Sequence, residues 1–311
     1  MGKRSILVTG GAGFIGSSLV HELAKDPNNR IVAVDNLLTG NIKRLPKVEN
    51  VHFIKADVNN FGDVSSIFFR FRFDYVFHYA AVVGVKRTLE NPVLVLEDLT
   101  GIKNILDLSK NTDVKRVYFS SSSEVYGEPV ELPQNEHTTP LNSRLPYAIV
   151  KNVGEAFLKS YKQEYGLDHT IFRFFNTYGP MQSKDFVVSK FIAQALRGED
   201  VTIYGDGSQT RTFCFVNDNV AACVNAFQQG RFINDVVNIG SSKEYTVLEL
   251  AETIIKVSKS KSKITFLPPL EEGDMSRRLP DTEKMLQLLD REPISLEDGL
   301  SKLVENPEFI L

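Results

Sequence analysis

Within the first 175 residues, six short runs are apolar through their centres rather than at alternate positions: SILVTG, RIVAVDN, VHFIKADV, DYVFHYAA, VKRVYFSSS and HTIFRFFN. A strand with apolar side chains on both faces belongs in a sheet that is covered on both sides. Helical patterns stand between the runs: GSSLVHELAKD, VSSIFFRF, NPVLVLEDLTGIKNILDLSK and PYAIVKNVGEAFLKSYKQEYG. Strand and helix alternating at this spacing predict an α/β fold, a Rossmann-type doubly wound parallel sheet with right-handed crossovers.

The rhythm changes near residue 175, where NTYGP, YGDGSQTR and FLPPLEEGDMSRRLPD bring turn formers between shorter helices. The expectation is a Rossmann domain over residues 1–175 and a smaller C-terminal substrate-binding lobe over 176–311. Residues 212–241, with TFCFVNDNVAACVNAF and VVNIG, are expected to return to the first domain's sheet. At 311 residues the chain is long enough for both units.

Composition removes several classes of partner. Lys and Arg number 36 against 39 Asp and Glu, a net charge of −3, which gives no footprint for nucleic acid. No apolar stretch approaches the ~20 residues that span a bilayer, so no membrane partner is expected. Cys214 and Cys223 have no His or Cys at metal-ligand spacing. They read as free, buried thiols in a reducing, cytoplasmic setting, with no metal site.

The first run leads into GGAGFIG, where Gly10, Gly13 and Gly16 stand three residues apart. One glycine makes the tight turn, one admits a pyrophosphate close to the backbone, and one lets the next helix pack on the strand. The helix N-terminus then offers N–H groups and a positive dipole end to the phosphates. Asp35 ends the following run, 19 residues past Gly16. An acid there accepts from the adenosine ribose hydroxyls and repels a 2′-phosphate, which points to NAD rather than NADP. Asp57 closes the third run, within reach of the adenine or simply solvated.

Tyr147 and Lys151 are four apart in PYAIVKNVGEA and share a helix face. Tyrosine has an ordinary pKa of about 10 and is a poor base at neutral pH. An adjacent ammonium, helped by an oxidised nicotinamide, is expected to favour the phenolate. Upstream, RVYFSSSSEVYG ends a strand in polar residues, where an open parallel sheet presents ligands. Ser122 is placed there to hydrogen-bond both the Tyr147 oxygen and a substrate hydroxyl.

These segments, with VAVDN, HYAA, RFFNTYGP, GDGSQTRTF and RRLPD, resemble the extended short-chain dehydrogenase/reductase superfamily in its NAD-dependent nucleotide-sugar epimerase/dehydratase branch. The resemblance covers essentially the whole chain. It implies Tyr147 as base, with Lys151 and Ser122 beside it, drawing a proton from a sugar 4-hydroxyl while the 4-hydride passes to NAD. It extends the cofactor contacts to Phe14, Ile15, Asn36, Val58, Tyr79, Ala80 and Ala81. For a nucleotide-sugar substrate, UDP-linked by analogy, it implies Ser123, Asn176, Val188, Arg211 and Arg278. Arginine's fork suits a diphosphate, and Arg277 competes for the role of Arg278. Tyr204 is read equally as part of the uracil pocket or as core. The helices at 92–110 and 147–165 resemble those of a family homodimer. Asp98 departs from the asparagine that many relatives carry at its position.

The 4-keto sugar has three fates. A 4,6-dehydratase pairs an Asp with its Glu, whereas this chain has Ser123 before Glu124, which argues against dehydration. Ser-Glu and FNTYGP resemble UDP-glucuronate decarboxylases. HYAAVVGVKRTLENP resembles epimerases and lacks the longer loop associated with decarboxylases. The expectation is a UDP-sugar 4-epimerase, with UDP-glucuronate decarboxylase as the alternative. An NAD-binding redox sensor or scaffold is the non-enzyme alternative, and the presence of both Tyr147 and Lys151 argues against it. Asp35 argues against a reductase that uses NADPH.

Overall fold

The computed structural model of the chain describes residues 3–268 and 277–306. The first part runs β1 (Arg4–Thr9), α1 (Phe14–Leu23), β2 (Asn29–Asp35), β3 (Val51–Lys55), α2 (Phe61–Phe71), β4 (Tyr75–His78), α3 (Val85–Glu90), α4 (Pro92–Asn111), β5 (Arg116–Ser122), α5 (Pro146–Tyr165) and β6 (Asp168–Phe174). There follow β7 (Thr177–Tyr178), α6 (Val187–Arg197), β8 (Val201–Tyr204), β9 (Thr210–Thr212), β10 (Cys214–Phe215), α7 (Val216–Gln228) and β11 (Asp235–Ile239). The chain continues through β12 (Glu244–Thr246), α8 (Val247–Val257), β13 (Ile264–Leu267), α9 (Glu283–Leu286) and α10 (Leu296–Glu305).

Seven strands form one parallel sheet in the order β11-β6-β5-β4-β1-β2-β3. β1 pairs with β2 on one side and β4 on the other, so Thr9 stands beside both Val34 and His78. Strand order reverses at this point, and open α/β sheets bind ligands beyond the strand ends there. Alternation splits β1 between two cores. Ile6 and Val8 pack with Leu19 and Leu23 of α1 and Phe227 of α7, while Leu7 packs with Ile67 of α2, Ile105 of α4 and Leu158 of α5. Beneath the end of β5, Arg173 of β6 donates to both carboxylate oxygens of Glu155 on α5, at 2.9 and 2.7 Å, and Ser121 Oγ donates to the same group at 2.6 Å.

A third apolar cluster joins Val188, Phe191 and Ile192 of α6 to Ile203, Leu250, Ile254 and Leu300. Residues 212–228 reach the large sheet as a helix rather than as a strand. Val216, Val220, Cys223, Val224 and Phe227 recur at helical spacing, and α7 lays them against the α1 layer. From the 212–241 stretch, β11 hydrogen-bonds into the sheet. Residues 269–276 of the turn-rich FLPPLEEGDMSRRLPD run lie outside the described residues. Among the described residues, no helix is long and apolar enough to cross a membrane.

Candidate active site

The C-terminal ends of β1 to β6 open on one cavity of 520 Å³. At its β1 end the glycines divide the steric work. Gly10 has φ +66°, and a Cβ there would stand 2.7 Å from Ala80 N. A Cβ on Gly16 would stand 2.1 Å from Gly10 O, so only glycine lets α1 start this close to the turn. A Cβ on Gly13 would meet only Gly10 O, at 3.1 Å, and Gly13 lines the cavity together with Phe14, Ile15 and Gly16. No side chain caps α1. Asp35 is 8% exposed and accepts from Ala12 N at 3.0 Å and Leu37 N at 2.8 Å. Asn36 Nδ2 donates to Asp57 Oδ2 at 3.0 Å, and Val58, Tyr79, Ala80 and Ala81 complete this wall. A Cβ-free cradle, an uncapped helix N-terminus and a buried acid fit a dinucleotide's pyrophosphate and ribose.

Two residues here escape the sequence reading. Arg44 lines the cavity, with Nη1 3.4 Å from both Ala12 O and Thr39 O. Burial lowers its pKa and Asp35 opposes the shift. Nothing periodic marks a single basic residue in the loop after β2. His78 accepts at Nδ1 from Thr9 Oγ1 at 2.8 Å, and that hydroxyl in turn accepts from Tyr79 N and Ala80 N at 3.2 Å each. Burial, followed by Lys151, pushes the His78 pKa down to about 3, and the ring is neutral.

At the β5 end, Ser120, Ser121, Ser122 and Ser123 line the cavity opposite the start of α5. Ser122 Oγ accepts from Glu124 N at 3.2 Å and caps the short turn at Ser123–Tyr126. Lys151 is 3% exposed, with Nζ donating to Ser120 Oγ at 3.4 Å and lying 5.7 Å from the Tyr147 ring centre. Burial pushes its pKa down to about 8, with Asp98 pulling the other way. In the chain itself the Tyr147 pKa stands above its ordinary value. Burial first, and then the Glu124 and Asp98 carboxylates, raise its pKa, while the Ser122 hydrogen bond and Arg278 lower it. Desolvation disfavours the phenolate more strongly than the chain's own cations favour it.

Arg278 is 7% exposed, and its Nη2 donates to Glu124 Oε1 at 2.7 Å while Nη1 donates to Ser123 Oγ at 3.4 Å. Arg277 instead pairs with Glu244 on an exposed face, so of these two neighbours it is Arg278 that lines the cavity. Asn176, Val188 and Arg211 also line it. Three buried polar atoms here lack partners: Glu124 Oε2, Arg278 Nε and Asn176 Nδ2. Tyr204 is neither in this cavity nor in the core. β8 alternates, Val201 and Ile203 point inward, and Tyr204 points outward, 40% exposed beneath Lys190.

The model of the NAD dependent epimerase/dehydratase family matches residues 6–240. A UDP-glucuronic acid decarboxylase of Danio rerio is 38% identical, covering 97% of this chain and 72% of its own length. A putative UDP-glucose 4-epimerase of Methanocaldococcus jannaschii is 36% identical, covering 96% of this chain and 97% of its own. A crystal structure of the UDP-glucose 4-epimerase of Thermotoga maritima with UDP-glucose superposes with a TM-score of 0.92 at 34% identity, covering 98% of this chain and 99% of that one.

Proposed function

The chain belongs to the NAD-dependent epimerase/dehydratase family, and we propose that it is a UDP-sugar 4-epimerase working through a 4-keto intermediate. One observation carries this reading. Tyr147 lines the cavity with the Ser122 hydroxyl hydrogen-bonded to it, whereas Glu124 is held by Arg278. Epimerisation at C4 moves one proton off and back onto O4, which a single acid–base group performs. Elimination of water across C5 and C6 needs a second such group, and no aspartate precedes Glu124.

Bound NAD supplies the hydride acceptor and, on the return step, the donor. The Tyr147 oxygen takes the 4-hydroxyl proton and restores it to the other epimer, with Ser122 Oγ orienting the exchange. Lys151 provides a fixed cation next to the phenol, and Arg211 and Asn176 hold the diphosphate. Val188 lines the base. A homodimer is part of the proposal, supported by Val93, Leu96 and Ile149, which are exposed on α4 and α5.

A second reading has its own support in Arg278. A carboxylate at C6 of the sugar finds in Arg278 a buried cation with an unpartnered Nε. Once C4 is oxidised, that substrate is a β-keto acid and loses carbon dioxide. Incubation with UDP-glucose, UDP-N-acetylglucosamine and UDP-glucuronate, followed by NMR of the products, separates the two. The 4-epimer of any of the three supports the first reading. UDP-xylose with release of carbon dioxide replaces it with the second, and no turnover of any of the three overturns both.

A further inference from the structure

Behind the Ser122–Arg278 end of the cavity lies a set of buried polar side chains that the proposed chemistry does not use. Its centre is Asn238, on β11 beside Arg173 of β6 and wholly buried. Both ends of its amide are engaged. Oδ1 accepts from the Tyr126 hydroxyl at 2.8 Å, while Nδ2 donates to Gln134 O at 2.9 Å and to Asp281 O at 3.3 Å. The backbone N of Asn238 donates to Glu136 Oε1 at 2.8 Å. Turning this amide over would set its oxygen against two carbonyls, so it is held in one orientation.

Each end leads to a segment of the active site. Tyr126 is buried and closes the Ser123–Tyr126 turn, and its hydroxyl also accepts from Arg173 Nη1 at 2.8 Å. Within that turn Gly127 N donates to Glu124 O at 3.1 Å. Glu124 N donates at 3.2 Å to Ser122 Oγ, the hydroxyl that hydrogen-bonds Tyr147. On the other side, Gln134 N donates to Leu279 O at 2.7 Å and Asp281 N to Gln134 O at 2.9 Å. Leu279 follows Arg278, whose guanidinium reaches back to Ser123 Oγ and Glu124 Oε1. The bonds therefore close a ring that runs from Asn238 through Tyr126, the turn, Arg278 and Gln134 back to Asn238. A closed ring fixes the spacing of its members, whereas an open chain lets its free end drift.

We propose that Asn238 is a positioning residue for the reaction. Its amide ties the Ser123–Tyr126 turn to the segment of Arg278, and so fixes Glu124 N on the Ser122 hydroxyl that orients the exchange at Tyr147. Val188 of α6 and Arg211 of β9 stand outside the ring. The ring accordingly sets the geometry of proton transfer rather than the grip on the nucleotide.

Two variants open the ring to different extents. Tyr126→Phe deletes one hydroxyl, and Asn238→Ala deletes both ends of the amide. With NAD bound, kcat for the UDP-sugar is expected to fall about tenfold in Tyr126→Phe and about 10²-fold in Asn238→Ala. KM is expected to stay within about twofold of wild type in each. The double variant is expected to be no slower than Asn238→Ala, because both changes cut one link. Tyr118→Phe is the control. Tyr118 is equally buried on β5, stacked on Phe77 and outside the ring, and its loss of a hydroxyl is expected to leave kcat unchanged. A raised KM at unchanged kcat in Asn238→Ala overturns the proposal.

Amide hydrogen exchange, read residue by residue, reports on the ring without any substrate. Exchange is expected to quicken at Gly127 in Tyr126→Phe. In Asn238→Ala it is expected to quicken at Gly127, Gln134 and Asp281 together, with β1 unchanged in both variants. Quickening on one side of the ring alone in Asn238→Ala, or none, overturns the proposal. Quickening throughout the protein also overturns it, since that marks a role in the fold alone. Normal exchange at Gly127 in Tyr126→Phe does the same, even where Asn238→Ala does not fold. The kinetic arm rests on the UDP-sugar reading. If the wild type turns over no UDP-sugar, that reading fails, while the exchange pattern still decides the role of Asn238.

Discussion

At the Gly10–Gly16 turn the cavity wall is backbone, and at the Ser122–Arg278 end it is side chain. Around the turn several polar groups are met within the chain, while the start of α1 has no side-chain cap. Gly11 N donates to Val34 O at 3.1 Å, Asp35 accepts two backbone N–H groups, and the Thr9 hydroxyl accepts two more while donating to His78. The other end leaves Glu124 Oε2, Arg278 Nε and Asn176 Nδ2 buried and unpartnered. A buried polar atom that stays unpaired costs about 1–3 kcal/mol, so these three mark a wall whose hydrogen bonds water or a ligand can complete. The first region recognises its ligand by the absence of side chains. The second recognises its ligand by hydrogen bonds still to be made.

If the two regions are separable, the largest effect available is chemical and confined to the second. Tyr147→Phe removes the one proton carrier and leaves the glycine turn untouched. Turnover is expected to fall by about 10³-fold, while NAD remains bound, as read from the absorbance and retention of the cofactor on the purified protein. Turnover near the wild-type level breaks the assignment of the base. Loss of NAD along with activity shows that the two regions are one unit.

Glycine replacements test the other side, with smaller effects. Gly16→Ala drives a Cβ to 2.1 Å from Gly10 O, so α1 must move off the sheet. The expected cost is about 1–3 kcal/mol of stability, visible in urea unfolding, together with weaker NAD binding. Gly13→Ala meets only Gly10 O, at 3.1 Å, and otherwise projects into open space. Its expected loss lies in NAD affinity, about tenfold, with stability within about 0.5 kcal/mol of wild type. Equal stability losses in the two variants contradict the division of labour drawn here.

How much of this was legible in the sequence follows the same division. Apolar runs and glycine spacing are local signals, and the sheet order and the turn follow from them. Tyr147 and Lys151 were legible because four residues on a helix set a shared face, and Ser122 because polar residues close an apolar strand. The Arg278–Glu124 pair joins positions 154 residues apart, and no local pattern announces it. Arg44 had no periodic context, and the hydrogen bond from Val82 N to Asp98 Oδ2, at 2.7 Å, joins two different segments of the chain. Tyr204 was misplaced because the facing of a four-residue strand depends on register, and register is set by its partner β13. Sequence shows a lysine beside Tyr147 but not the depth of burial that raises the phenol's pKa in the chain itself.

His78 stands between the two regions and offers the smallest and most specific test. Its Nδ1 accepts from Thr9, whose own lone pairs are taken by Tyr79 N and Ala80 N. A protonated ring would point a second donor at an oxygen with no room for it, and it would stand near the Lys151 cation. Both effects agree with a pKa pushed down from 6.5 to about 3. The unfolded chain then binds a proton that the folded chain refuses between those two values, so stability rises with pH across this window and is lost on acidification. One such group contributes a slope of about 1.4 kcal/mol per pH unit in mid-window. His169, pushed down to about 4, adds a similar slope from the far end of β6. His78→Asn keeps an acceptor for Thr9 and removes the proton site. The loss of stability between pH 6 and pH 5, measured by urea unfolding, is therefore expected to shrink by about 1 kcal/mol, with the His169 share remaining. An unchanged slope would mean that His78 takes up a proton in the folded protein, and that the Thr9 hydroxyl turns to accept it.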